Sequence, residues 1–451
     1  MTLAIPSPTR AAEAVPAVPP VVGSRLVVPL VDGTRVPYAN LDHAASAPCL
    51  EAVRDAVDEL LPWYASVHRG AGFASQVSTR VLEQSREVLR RFVGAHRTDA
   101  VVFTRNTTDS LNLLARAVPG GTSVVLFDTE HHAALLPWRG PRVRRLRTPA
   151  DADGAVRALD NALAECAAGP RLVVLTAASN VTGELWPVAE LAAVARRHGA
   201  RTVLDAAQLA PHRPVDIGAL DVDWVALSGH KLYAPFGAGA LIGRADWLRA
   251  AEPYLAGGGA TASVTDRGDR LAVSWSPGVE RHEAGSPNVV GPHALAVACE
   301  TITRHGWDAV VEHERVLLSR LRAGLATVPG LRPLDLFGAD RVGVVSFTVD
   351  GLDSGLIAAA LSAEHGIGVR DGLFCAHIAT ERLLRRAGGH EKRAVRASIG
   401  LATTAEHVDR LVSALRSLVA DGPAAEYHLV DGRWAPVDDP RPLPPFVREV
   451  R

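Results

Sequence analysis

Four short apolar runs in the middle of the chain constrain the fold more than any other feature: Val124–Phe127, Leu172–Leu175, Thr202–Leu204 and Trp224–Leu227. Each is continuous rather than alternating, so each reads as a strand buried on both faces. Helix-like or loop material separates one from the next, which predicts an α/β unit with a mostly parallel sheet. Residues 183–200 show one intervening unit. Pro187 suits a first helical turn, and Leu191, Val194 and Ala195 share a face. Arg196 and Arg197 lie near the C-terminus, and Gly199 ends the helix.

After about Pro287 the texture changes. Helical stretches are predicted over 294–304, 312–325 and, amphipathically, 405–418, and residues 342–349 alternate like a strand with one wet face. With 451 residues, 47% of them apolar, the chain is too long for one average domain. The predicted organisation is a disordered leader (1–22), then a large α/β domain (23–290) whose N-terminal segment adds to the small domain. A small α+β domain (291–422) and a C-terminal extension (423–451) follow, the extension with a hairpin turn at Asp431-Gly432 and a proline-rich tail.

A formal net charge of −1 steers the chain neither to nucleic acid nor to an anionic membrane surface. Prolines interrupt the N-terminus where a signal peptide needs an apolar core, and no uncharged apolar run is long enough to span a bilayer. Cys49, Cys166, Cys299 and Cys375 are scattered, with no CxxC pair or metal-type spacing. Two disulfides are arithmetically open to them, but the pattern favours reduced thiols in a cytoplasmic protein, with no metal site.

Chemistry concentrates where the apolar runs end. Ser228-Gly229-His230-Lys231 follows Trp224–Leu227, and ligands bind beyond the carboxyl ends of parallel strands. A lysine desolvated there forms an imine with an aldehyde; the plain alternative is a surface lysine at a strand end. Gly237 and Gly239, just beyond, permit close backbone packing. Asp205 ends Thr202–Leu204, where a carboxylate can keep the pyridine nitrogen of pyridoxal phosphate protonated, or simply cap a loop. Gln208 can donate to the 3-oxygen of such a ring. Asn106-Thr107-Thr108-Asp109 opens a helix, either as a phosphate cradle or as an ordinary cap. Glu130-His131-His132 offers a histidine to stack on a ring; no carboxylate set completes a zinc site around it.

Taken in order, these pieces resemble the class V (fold type I) pyridoxal-phosphate enzymes, specifically the cysteine desulfurase and selenocysteine lyase branch. The matching segments are Leu41-Asp42-His43-Ala44-Ala45-Ser46, Val67-His68-Arg69-Gly70, Thr104-Arg105-Asn106-Thr107-Thr108, Glu130-His131-His132-Ala133 and Ser179-Asn180-Val181-Thr182-Gly183. Further on come Asp205-Ala206-Ala207-Gln208, Ser228-Gly229-His230-Lys231, Glu283-Ala284-Gly285-Ser286-Pro287-Asn288 and Arg370-Asp371-Gly372-Leu373-Phe374-Cys375-Ala376. The resemblance runs from about Leu41 to Leu418.

It implies a fold type I architecture with a large mostly parallel-sheet domain and a smaller α+β C-terminal domain. Lys231 would carry the cofactor as a Schiff base and move the α-proton, Asp205 would hold the pyridinium, Gln208 the 3-oxygen, and His131 would stack on the ring. Thr107, Thr108, Ser228 and His230 would bind the phosphate, and Ser286 the phosphate of a neighbouring subunit, since such enzymes are homodimers with shared sites. Asn180 and Arg396 would receive the carboxylate of a small amino-acid substrate, with His68 also at the substrate. For Arg396 an ordinary surface ion pair is the alternative. A sulfur-acceptor protein is a further implied partner.

Cys375 decides the reaction. In the desulfurase branch a thiolate here takes the sulfur of cysteine and alanine leaves. That branch commonly has two histidines just before the cysteine, where this chain has Leu373 and Phe374. An apolar flank would raise the thiol pKa, so a buried packing cysteine is the competing reading, with Arg370 and His377 as compensating charge. The alternative function is a class V aminotransferase, epimerase or other lyase of specialised metabolism that does not use Cys375. A non-catalytic scaffold has no use for a buried unpaired lysine, and a nicotinamide enzyme lacks its glycine fingerprint.

Overall fold

The computed structural model describes residues 15–448. The large sheet contains β1 (Ala100–Thr104), β2 (Ser123–Phe127), β3 (Val143–Leu146), β4 (Arg171–Thr176), β5 (Arg201–Asp205), β6 (Trp224–Ser228) and β7 (Gly239–Gly243). Their spatial order is β1-β7-β6-β5-β4-β2-β3. β3, β2, β4, β5 and β6 are parallel, and β7 runs antiparallel to both β6 and β1. All four apolar runs are strands, and they are continuous for the expected reason. Val173 and Leu175 enter the core on one face while Leu172 and Val174 enter the core on the other.

A second, antiparallel sheet holds β8 (Leu331–Pro333), β9 (Val344–Val349), β10 (Arg370–Gly372) and β11 (Ala394–Ser398) in the order β8-β9-β11-β10. Helices Trp307–Leu325, Ser354–His365 and Ala405–Asp421 supply its core. Ala39–Asn40 pairs in parallel with Ile367–Gly368, and Leu41 is buried in the same core.

The wet face expected for residues 342–349 is absent: every residue of β9 is buried. Its polar alternate Ser346 meets the large lobe instead of water, and Thr348 is buried with its hydroxyl unpartnered. Ser346 Oγ donates to Val181 O at 2.5 Å. The whole segment 181–185 is bonded to the small lobe in this way. Val342 N donates to Gly183 O (2.9 Å), Leu185 N to Asp340 O (2.8 Å) and Arg341 Nη1 to Thr182 O (3.3 Å). The fully buried Glu184 carboxylate accepts from the backbone N–H groups of Leu336, Phe337, Gly338 and Ala339 at 2.5 to 3.2 Å. Gly183 is required here: its φ is +76°, and a Cβ would stand 2.7 Å from Val342 O and Val344 O.

Residues 1–14 of the predicted leader lie outside the described residues, as do 449–451. Residues 15–22 do not behave as disordered chain. Val21 is buried and bridges to Leu50, Val22 N donates to Cys49 O, and Pro16 O and Ala17 O contact the rings of His313 and His305. The apolar residues that gave this stretch no periodicity are used singly, as plugs. At the other end, Tyr427–Val430 and Arg433–Pro436 pair across the Asp431-Gly432 turn, both turn residues having positive φ. This hairpin docks on helix Ser354–His365 through Tyr427 Oη to Glu364 (2.8 Å) and Trp434 Nε1 to Asp353 (2.9 Å).

Candidate active site

β1, β2, β4, β5 and β6 point their carboxyl ends to the same edge of the sheet, and a cavity of about 230 Å³ opens there. Eleven of the thirteen sequence-predicted residues line it: Thr107, Thr108, His131, Asn180, Asp205, Gln208, Ser228, His230, Lys231, Cys375 and Arg396. They reach it from the ends of five strands, β1, β2, β4, β5 and β6, and from the small lobe.

Lys231 lies just past β6. Burial brings its amine down to about 8, against the upward pull of Asp205, with Arg396 pushing the same way as burial. Its Nζ donates to Gln208 Oε1 at 3.3 Å. Asp205, at the tip of β5, accepts from Ala207 N at 3.0 Å, and burial raises its carboxyl above the usual carboxylate range. His131 caps the short helix His132–Leu135. Its Nδ1 accepts from Ala133 N (3.0 Å), which leaves the ring hydrogen on Nε2. Burial, then the nearby Lys231, depress this imidazole to about 3, so it is neutral.

The helix Thr107–Ala117 starts at the cavity, with Asn106 capping it through Asp109 N. Thr107 N donates to Ser228 Oγ (2.9 Å), and Ser228 Oγ donates to Thr107 Oγ1 (2.9 Å), tying the helix start to the end of β6. Around this point the backbone is packed as only glycine permits. A Cβ on Gly239 would lie 2.5 Å from Leu227 O and 2.7 Å from Asn106 Cα, and one on Gly229 would lie 2.7 Å from Ala238 O.

Arg396 is buried at 3% exposure, which rejects the surface ion pair. Its Nη1 donates to Asn180 O (2.9 Å) and its Nη2 to Asp42 (3.2 Å), while Nε is buried without a partner. Arg370, also in the cavity wall, donates to the other oxygen of Asp42 at 3.2 Å. Asp42 and Thr176 therefore belong to the site although the sequence reading gave them no role, and Arg370 and Phe374, read there only as surroundings of Cys375, also line the arginine side of the cavity. The signals existed: Asp42 sits inside a matching segment, and Thr176 ends a strand beside Asp205.

Cys375 is exposed at the cavity, so the packing-cysteine reading fails. Phe374 and Cys375 both adopt positive φ, 52° and 53°, a strained pair for non-glycine residues. Their carbonyls are held from the large lobe. Asn180 Nδ2 donates to Phe374 O at 2.7 Å, and His132 N donates to Cys375 O at 2.8 Å. The turn sends the Phe374 ring inward, 7% exposed, and leaves the thiol outside. The apolar flank that argued against a reactive thiol thus does not bury it. His377 packs edge-on against His132, ring centroids 4.5 Å apart.

His68 and Ser286 are not brought to this cavity. Both are exposed and line a separate cavity of about 880 Å³. There His68 Nε2 contacts Glu83 at 3.1 Å.

The profile of the family described as "Aminotransferase class-V" matches residues 39–411. The cysteine desulfurase of Klebsiella pneumoniae (strain 342) is 36% identical over 397 residues, spanning 85% of this chain and 93% of the relative. That of Dickeya dadantii (strain 3937) is 35% identical over 395 residues, spanning 85% and 92%. Among solved structures, the apo cysteine desulfurase of Thermococcus onnurineus NA1 superposes with a TM-score of 0.75 at 32% identity, covering 85% of this chain and 94% of that one. The cysteine desulfurase CsdA of Escherichia coli gives 0.70 at 31%, covering 84% and 94%. The expected fold type I architecture is the one found, and the chain is an enzyme of the aminotransferase class-V family.

Proposed function

We propose that the chain is a pyridoxal-phosphate-dependent cysteine desulfurase that leaves alanine and carries the sulfur on Cys375. The observation that carries this reading is a solvent-exposed thiol, on a strained turn, in the same cavity as a desolvated lysine and a buried arginine.

The residues present fit the cofactor. Asp205 is a buried carboxylate suited to a ring nitrogen, Gln208 has an amide nitrogen free for the 3-oxygen, and His131 is a neutral ring at the wall. Thr107, Thr108, Ser228 and His230 surround the glycine-lined backbone where a phosphate fits. When bound, the cofactor supplies a cationic ring that draws electrons from the substrate's carbon. Lys231 Nζ, neutral in part near pH 8, takes and returns the proton at the substrate's α-carbon. The Arg396 guanidinium, in the cavity wall, receives the substrate carboxylate, with Asn180 beside it. Cys375 Sγ attacks the substrate's sulfur. The substrate C–S bond breaks as the S–S bond forms, the carbon takes a proton to become alanine, and the persulfide stays on Cys375 for a thiol acceptor.

We also read the enzyme as a homodimer, because His68 and Ser286 line a cavity remote from Lys231 and a second copy would put them to use. A cytoplasmic location agrees with four unpaired cysteines. Among the described residues no helix is long and apolar enough to cross a membrane.

The test is to incubate the purified protein with L-cysteine and reductant, assaying alanine, sulfide and keto acid together. Alanine and sulfide in equal amounts, both lost in Cys375→Ala, are expected. Keto acid without sulfide, or a Cys375→Ala protein that still releases sulfide at the full rate, defeats the reading.

A further inference from the structure

Glu130 is fully buried, yet it lines no part of the cavity, and the mechanism above gives it no task. Its Oε2 is bonded to Thr176 Oγ1 at 2.6 Å, and its Oε1 has no partner. Thr176 ends β4 and is the register partner of Asp205 at the end of β5. Paired residues on parallel strands send their side chains from the same face, about 4.8 Å apart. Glu130 therefore stands one hydroxyl behind the carboxylate that faces the cavity.

We infer that Glu130 is a positioning residue for Asp205: it sits behind the cavity wall as a neutral acid bonded to Thr176, so that Asp205 carries the negative charge of the pair. The inference rests on the reading that Asp205 holds the cofactor's ring nitrogen.

Two carboxyls buried this close cannot both ionise cheaply, and the better-solvated one keeps the charge. Asp205 has a backbone N–H and the Lys231 ammonium to stabilise an anion; Glu130 has the hydroxyl and backbone of Thr176 and an orphaned oxygen. Asp205 is the charged group that acts on Glu130, and burial together with it pushes the Glu130 acid up to about 8. Lys231 acts on Asp205 and on His131, the next residue in the chain. Thr176 Oγ1 donates to Glu130 Oε2, so the threonine hydroxyl holds Glu130 in place behind Asp205.

The experiment compares wild type with Glu130→Gln, a neutral side chain of the same shape. On the cofactor-free protein, denaturant unfolding is measured from pH 5 to 9. An acid held neutral in the folded state, with an ordinary value near 4.5 when unfolded, destabilises the wild type relative to the variant as pH rises. The ratio of their unfolding constants is expected to grow about tenfold per pH unit and level off near pH 8. A ratio independent of pH overturns the inference. Should Glu130→Gln not fold, Thr176→Val removes the hydroxyl that stabilises the carboxylate, and its stability loss should run on above pH 8; levelling where the wild type levels overturns the inference equally.

The second measurement follows the visible band of each protein, loaded with pyridoxal phosphate, against pH. The wild type should show an inflection near pH 8 that Glu130→Gln lacks. Identical titrations overturn the coupling to Asp205 alone. No band in either protein sinks the cofactor reading, and this inference with it.

Discussion

The Arg396 guanidinium lies 5.1 Å above the centre of the Phe374 ring, so the residue that precedes the proposed sulfur-carrying thiol also forms the floor of the proposed carboxylate site. The two sites share one turn. Replacing Phe374 with Leu removes a cation–π contact worth about 1 kcal/mol in a desolvated setting. We expect kcat/KM for cysteine to fall about fivefold, mostly through KM. Steady-state kinetics check this; an unchanged KM with a reduced kcat would mean the ring serves the thiol and not the arginine.

Lys231 predicts how the cofactor-free protein takes up pyridoxal phosphate. Only the neutral amine attacks an aldehyde, and burial has brought this amine down to about 8. The rate of capture, followed by the rise of the visible band, should climb about tenfold from pH 6 to 7 and flatten above pH 8. An ordinary lysine would still be climbing at pH 9. The sequence holds only two lysines, Lys231 and Lys392, so borohydride reduction followed by peptide mapping should find the label at Lys231.

Asp205→Asn keeps the shape of the side chain and removes its charge. A hydrogen bond to a charged group contributes roughly 1.5–3 kcal/mol, so kcat should drop on the order of tenfold to a hundredfold while the cofactor still binds. Rapid-mixing assays of alanine release, on protein whose cofactor content has been measured, decide the matter.

Gly239→Ala tests the backbone cradle. Its new methyl would meet Leu227 O and Asn106 Cα, both main-chain atoms that cannot swing aside. Overpacking of this kind costs about 1–3 kcal/mol, and the helix start at Thr107 must move to relieve it. Weaker binding of pyridoxal phosphate, measured by fluorescence titration, should accompany a lower urea midpoint. Unchanged affinity would remove the phosphate from this corner.

Much of the site was legible because parallel strands write themselves plainly. A strand buried on both faces is an unbroken apolar run, and the first polar residues after it stand at the ligand-binding edge; Asp205 and Lys231 were found that way. Residues whose role depends on the second lobe were less visible. Ser346 looks like an exposed alternate until the large lobe covers it, and Phe374 looks like insulation for Cys375 until a positive φ turns it inward. Asp42 becomes a partner of Arg396 only across 354 residues of chain. His68 and Ser286 carry good motifs, yet a single chain leaves both away from the cavity.

Asn180 belongs to a strap whose next residues are pinned to the small lobe, with the Glu184 carboxylate gripping four amides at its far end. The strap thus ties the Asn180 side of the cavity firmly to the small lobe that carries Arg396. The cost of that rigidity is shared failure: heat that unseats the small lobe releases Asn180 and Arg396 in one event, and recognition should vanish at the same temperature as structure.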